Sequence, residues 1–348
     1  MKPRYFQLLL AAVCVLLAGC AGTRPATDTN QMTLPENIKR ATAREQQRIN
    51  DFPDLPDSEE SAPTDDDVVQ GVEVDKAPGA LSERAIRERS DALEPYAITA
   101  HKPNFLLPFS YSTRLNKGAY ENTDFDSGSN FSRTEVNFQI SIKSQLNGRD
   151  LLLKDDGLFA AFTLEAWWQL YADDLSSPFR ETNYQPELFY LKPLLWGPFG
   201  GSTALLVGIE HQSNGQFQSL SRSWNRIYGG FIYERGGLVA RVRPWYRISE
   251  PEAEFPFDPD GDDNPDILDF MGHGDISVGL RHGDSDYSIL LRANPSTGKG
   301  AIDLNWTFPA FARFRVLLNY FNGYGDSLID YNHHQQRFSA GVALTPLF

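Results

Sequence analysis

Cysteine is nearly absent. The 348 residues contain two, Cys14 and Cys20, both at the extreme N-terminus. A disulfide framework and a thiolate metal site are thereby excluded from everything that follows. Long apolar runs are equally scarce. The only candidate, residues 8–18, is 11 residues long, whereas a membrane helix needs about 20 mostly apolar residues. Mean hydropathy is −0.40, so a bundle of membrane helices is ruled out. Positive charge is in deficit: 32 Lys and Arg against 46 Asp and Glu give a net charge of −14. That balance argues against nucleic-acid binding by phosphate neutralisation. No G-x-S-x-G elbow, H-E-x-x-H helix or P-loop is found, and no internal repeat is evident. Aromatics, by contrast, make up 12%, and 27 Gly with 22 Pro point to many turns.

The N-terminus reads as an export signal. Lys2 and Arg4 precede the apolar run, which is too short to span a bilayer and ends Leu17-Ala18-Gly19-Cys20. That ending resembles the bacterial lipobox, in which the cysteine is acylated and becomes the first mature residue. An ordinary signal peptide cut nearby after a small residue fits the same residues. Residues 1–20 are therefore expected to be a signal peptide. In residues 51–75 there are ten acidic side chains and no basic one. Such a segment cannot bury enough apolar surface to offset chain entropy, so residues 21–97 are expected to be a disordered acidic extension.

From about His101 the pattern becomes one of alternation. Val136, Phe138, Ile140 and Ile142 alternate with polar residues; so do Phe162, Leu164, Ala166 and Trp168, and Leu238, Ala240 and Val242. Ile276, Val278 and Leu280, then Ile302, Leu304, Trp306 and Phe308, repeat the pattern, and Phe338, Ala340, Val342, Leu344 and Phe348 finish the chain. A period of two means strands with one apolar face. The polar face carries full charges in mid-strand, including Glu165, Glu210, Arg241, Arg243 and Asp303. Aromatics such as Trp168, Tyr171, Trp306 and Tyr320 sit at strand ends. Apolar outside, polar inside and aromatic girdles describe an outer-membrane barrel. Residues 98–348 are expected to form a twelve-stranded antiparallel transmembrane β-barrel with a salt-bridged interior.

One hairpin carries candidate chemistry. Leu205, Val207 and Ile209 form an outward row, and continuing by twos adds His211 and Ser213. In the next strand Asn225 and Ile227 face outward while Trp224, Arg226 and Tyr228 face inward. A hairpin centred near Gln218 sets His211 directly opposite Asn225, with cross-strand partners about 5 Å apart. Serine can act as nucleophile, histidine can take its proton, and an asparagine carbonyl can fix the imidazole tautomer. Three polar groups on a lipid-facing wall cost free energy unless they pair.

These residues resemble the outer-membrane phospholipase A family. His211-x-Ser213-Asn214-Gly215, followed by Ser221-Arg222-Ser223-Trp224-Asn225-Arg226, matches its signature at the same internal spacing. So do Trp167-Trp168-Gln169-Leu170 with Ser176-Ser177-Pro178-Phe179-Arg180-Glu181-Thr182-Asn183-Tyr184, and His101-Lys102-Pro103-Asn104. Pro244-Trp245-Tyr246, Asp263-Asn264-Pro265-Asp266-Ile267 and Gly323-Tyr324-Gly325-Asp326-Ser327-Leu328-Ile329-Asp330-Tyr331-Asn332 complete the set. The resemblance runs through residues 101–348. It implies Ca²⁺-dependent hydrolysis of acyl esters of phospholipids and lysophospholipids, with A1 and A2 positional activity, by an outer-membrane homodimer. It implies Ser213 as nucleophile, His211 as base, Asn225 as orienter and the Gly215 N–H as oxyanion donor. It also implies calcium ligands from the Ser221 hydroxyl, the Gln216 backbone carbonyl and Ser176 of the partner subunit.

The chain departs from that pattern in places. Gln218 stands where some members carry an acidic residue, Gln216 replaces a basic residue, and Leu164 occupies a position that can be glutamine. The loop after Ser249 is longer and ends in the acidic run Asp258 to Asp266, which lacks EF-hand spacing and reads as solvated. Two alternatives to the phospholipase remain open on sequence: a catalytically silent barrel acting as pore or structural protein, and an outer-membrane ester hydrolase acting on lipid A.

Overall fold

A computed structural model describes residues 98–348, apart from 121–129, 149, 253, 255–260 and 312–313. The expected signal peptide with its lipobox-like Cys20, and the acidic extension 21–97, lie outside the described residues. Among the described residues, twelve long strands alternate in direction around a closed barrel: β1 (Phe105–Ser112), β2 (Thr134–Gln145), β3 (Gly157–Trp168), β4 (Phe179–Leu194), β5 (Ser202–Ser213) and β6 (Ser223–Arg235), then β7 (Leu238–Ile248), β8 (Gly274–His282), β9 (Ser285–Asn294), β10 (Lys299–Phe311), β11 (Phe314–Gly323) and β12 (Gln335–Ala343). Each strand pairs with its neighbour in sequence. Closure comes from β12 on β1, where Arg337 faces Ser112 and Ala343 faces Phe105. Closing the sheet removes the free edges that a bilayer could not satisfy.

The alternation expected from sequence is realised. Val207, Ile209, Ile227, Val242, Ile276, Leu280, Leu304 and Phe338 are exposed on the outer wall. Aromatic side chains pair on that wall: Tyr287 stacks on Trp306 with centroids 6.0 Å apart, and Tyr320 meets Phe338 at 4.8 Å. Phe179 stacks on Trp168 at 5.6 Å and touches Phe138. Val136 and Ala166, on the same outward row, are buried because they are small and lie beside this aromatic group.

The interior is filled with charge and aromatic rings. The Arg180 guanidinium donates to both Glu135 carboxylate oxygens and to Asp330 at 3.0 Å. Glu210 accepts from Arg226 at 2.7 Å, and Arg243 binds Asp275 at 2.6 Å. Of the inward charges singled out in the sequence, Glu210, Arg241 and Arg243 are in ion pairs. Glu165 and Asp303 instead accept from the amides of Asn137, Asn305 and Asn319. Trp167 and Trp224 are fully buried beside these groups.

Two features depart from simple alternation. The short segment Thr99–Ala100 pairs with β2 ahead of β1, and residues 101–104 swing inward between the two pairings. His101 thereby stacks on Phe189 at 5.2 Å and meets Glu187 at 3.0 Å, while Lys102 donates to Gln185. At the other end, β12 stops at Ala343 rather than running to the terminus. Phe348, expected to finish the outward row, packs against inward-facing Gly279 and under the Arg281 guanidinium. The charged side chain and the glycine gap give the last ring a place inside the rim.

The rim that holds the chain's two barrel ends has two-residue turns at 236–237 and 283–284. At the opposite rim long connections join Ser112 to Thr134, Ser213 to Ser223, Ile248 to Gly274 and Gly323 to Gln335. Short periplasmic turns and long extracellular loops are the habit of such barrels, which puts the 214–222 loop at the outer face.

Candidate active site

The site is built on the β5–β6 hairpin at the long-loop rim. Its register follows from the loop: Asn214 N–H donates to Arg222 C=O at 3.1 Å, and the Asn214 side chain fills the loop. Its carbonyl accepts from the Gln216 and Arg222 N–H groups, and its amide donates to Leu220 C=O at 2.8 Å. Leu220 is buried with Leu115, Tyr120, Phe131 and Ile329, which pins the loop to its neighbours. Behind the wall, the buried Trp224 indole donates to Gln212 at 2.8 Å.

With that register set, His211 faces Asn225 across the pair, as the arithmetic on Gln218 requires. His211 Nδ1 lies 2.9 Å from Asn225 Oδ1. Ser213 sits two residues on, at the end of β5, on the same half-buried outward face, with Ser223 and Tyr184 as its strand partners. Among the described residues no hydrogen bond joins the Ser213 hydroxyl to the His211 ring. Catalytic hydrogen bonds often tighten only once substrate is bound.

A residue not singled out in the sequence lies on the far side of Asn225. The Asn225 amide donates to Glu250 Oε1 at 2.8 Å, from the loop after β7. Burial, then the nearby Asp262 carboxylate, pushes the Glu250 carboxyl above its ordinary value, while Arg247 pulls it back.

Gly215 follows the hairpin strand with φ of 64°. A Cβ there would approach the Tyr184 ring at 3.2 Å, so glycine suits both the backbone and the space. Ser221 closes the loop, and its hydroxyl donates to Asp263 Oδ2 at 2.6 Å. With its proton committed there, the oxygen keeps its lone pairs for another partner. Ser176 is exposed in the 169–178 loop between β3 and β4, and Gln216 is half-buried. The acidic run expected to be solvated is tied down where it is described: Asp262 to Arg247 at 2.5 Å, Asp263 to Ser221, and Asp266 to the Tyr331 hydroxyl. No group of three or more His, Cys, Asp or Glu side chains is placed to hold a metal among the described residues. Any cation would be held by the neutral hydroxyls and carbonyls with at most one or two carboxylates.

A family model described as Phospholipase A1 matches residues 81–344. The chain is 35% identical over 281 residues to the phospholipase A1 of Escherichia coli K12, covering 79% of this chain and 91% of that one. It is 37% identical over 274 residues to a putative phospholipase A1 of Neisseria meningitidis, covering 75% and 68%. Among solved structures, the barrel resembles outer membrane phospholipase A from Escherichia coli. The TM-score is 0.67 at 34% identity, over 75% of this chain and 98% of that one. The Salmonella typhi outer membrane phospholipase, solved as a dimer with bound calcium, also gives 0.67, at 33% identity and over the same shares.

Proposed function

Because the chain belongs to the phospholipase A1 family, we propose that Ser213, His211 and Asn225 are its catalytic triad and that it cleaves phospholipid acyl esters from the outer leaflet. It is a phospholipid ester hydrolase of the outer membrane. The observation that carries the finer reading is the 2.9 Å contact between His211 and Asn225 on the lipid-facing wall, two residues from Ser213.

The chemistry then follows from the chain's own groups. His211 Nε2 takes the proton as Ser213 Oγ attacks the ester carbonyl carbon. The Asn225 carbonyl holds the Nδ1–H side of the ring, so Nε2 presents its lone pair to serine. The Gly215 N–H receives the oxyanion of the tetrahedral intermediate. Collapse breaks the acyl C–O bond, and the imidazolium protonates the departing alkoxide, which leaves as a lysophospholipid or, from a lyso substrate, a glycerophosphodiester. Water, deprotonated by His211, attacks the acyl-serine; the C–O bond to Ser213 breaks, the imidazolium returns its proton to Oγ, and the fatty acid leaves.

Calcium fits the oxygen chemistry of this corner. The Ser221 hydroxyl with Asp263 behind it, and the Gln216 carbonyl, would supply one subunit's ligands, and Ser176 of the partner subunit would complete them in a homodimer. When bound, the ion supplies positive charge for the developing oxyanion. Activity at both the A1 and A2 positions, on phospholipids and lysophospholipids, belongs to the same reading.

The test is a micelle assay on the purified full chain with Ca²⁺ and phosphatidylcholine. Wild type is expected to release fatty acid and Ser213→Ala none. Equal rates would overturn the triad. Mass spectrometry of the products separates this from hydrolysis of lipid A. A barrel working as an open pore is disfavoured by the buried Arg180, Arg226 and Arg243 ion pairs and the buried tryptophans on its inner face.

A further inference from the structure

Asparagine is an ambiguous third member of a triad. Its amide can present either the oxygen or the nitrogen to a histidine, and the two choices select opposite imidazole tautomers. It also lacks the negative charge with which an aspartate stabilises the imidazolium. Some neighbour must decide the orientation.

Here the neighbour is an acid. Asn225 has the His211 ring on one side at 2.9 Å and the Glu250 carboxylate on the other at 2.8 Å. An ionised carboxylate only accepts. The Asn225 NH₂ must therefore face Glu250, its oxygen must face His211, and Nδ1 must carry the hydrogen. Nε2 is left as the ring's proton acceptor. The charge of Glu250 lies in line behind the amide dipole, where it strengthens the hydrogen bond to a ring that becomes positive. Glu250 is half-buried in the loop directly after β7, two residues beyond Ile248, which is paired with Asn225 itself. Its place is thus set by the same sheet register that places the pair.

We propose that Glu250 is a positioning residue of the hydrolase: it locks the Asn225 carboxamide in the orientation that sets the His211 tautomer, and lends the relay the negative charge its third member lacks. The inference rests on the triad reading above.

The test is steady-state kinetics in the same calcium micelle assay, with heat-dependent electrophoretic mobility checking that each barrel is folded. Glu250→Ala is expected to lower kcat about 10-fold with KM unchanged. Glu250→Gln, whose carbonyl can still accept from Asn225, recovers part of that loss. Asn225→Asp sets two carboxylates against each other and loses activity. Adding Glu250→Gln to it removes the repulsion and raises kcat, so the same substitution lowers activity in one background and raises it in the other. A merely structural role for Glu250 gives the same sign in both. Wild-type kcat in a folded Glu250→Ala, or losses that simply multiply in the double variant, would overturn the assignment. Full activity in Ser213→Ala would instead overturn the triad reading, whatever Glu250 does.

Discussion

The indole N–H of Trp224 donates to Oε1 of Gln212 across the β5–β6 pair, on the inner face directly behind His211 and Asn225. Both side chains are buried. The bond ties together the two strands that must hold an imidazole and a carboxamide in contact on the opposite face, so the wall's inner packing and its outer chemistry share one register.

Replacing that indole tests the connection. Trp224→Phe keeps a ring but leaves the buried Gln212 oxygen unpaired, a loss of about 1–3 kcal/mol. The expected result is a lower thermal midpoint in detergent together with a fall in kcat. A variant with wild-type stability and rate would show that the hairpin is held by other contacts alone.

Gly215→Ala tests the N–H proposed as oxyanion donor. A side chain at φ of 64° costs about 1–2 kcal/mol, and the new Cβ would press on Tyr184 at 3.2 Å. The loop should shift its N–H, lowering kcat by at least tenfold while calcium affinity changes less. Single-turnover acylation rates, compared with calcium titrations, separate the two effects.

If Ser176 of the partner subunit completes each site, two inactive variants should rescue one another. Mixed dimers of Ser176→Ala with Ser213→Ala contain one site whose serines are both intact. Random pairing would return about a quarter of wild-type activity. Chelation with EDTA should abolish it, and added Ca²⁺ should restore it. An unrescued mixture that nonetheless dimerises would place the third ligand elsewhere.

The turn between β2 and β3 makes a pH prediction. The Asp156 carboxylate accepts the N–H groups of Leu151, Leu152 and Leu153 and the Tyr190 hydroxyl. Desolvation alone would push this carboxyl up, but those donors outweigh it and hold it below the usual carboxylate range. A depressed folded value means the clamp is fully present above the unfolded value, about 3.9. It is lost only as pH falls through the lower folded value. Limited proteolysis at residues 150–156 should stay slow through mild acid and accelerate in strong acid. Asp156→Asn should be cut faster at neutral pH.

How much could be read from the sequence divides along the period of the strand. His211 opposite Asn225, with Trp224, Arg226 and Tyr228 inside, followed from counting by twos around Gln218, because strand geometry makes facing a matter of parity. Loops have no such parity. Asp263 reaches Ser221 from deep in the segment after β7, where nothing in the spacing says which way an acid will point; Glu250 keeps the parity of β7's outer row, but only the pairing of Ile248 with Asn225 brings it to the carboxamide. The acidic run looked solvated for the same reason. The inward swing of His101 and Lys102, and the inward turn of Phe348, break the alternation where a local partner, Glu187 or Gly279, offers a better place than the wall.

If Ser213, His211 and Asn225 are the triad, their place on the outside of a cylinder also decides how reactant reaches them. Substrate need not leave the bilayer or enter a cavity; it arrives by sideways diffusion within a sheet two molecules thick. The quantity that governs encounter is then the mole fraction of phospholipid in the surrounding leaflet, not any bulk molarity. In a leaflet depleted of such lipid, the enzyme would idle while fully folded, and diluting the substrate with inert amphiphile at fixed total concentration should slow it.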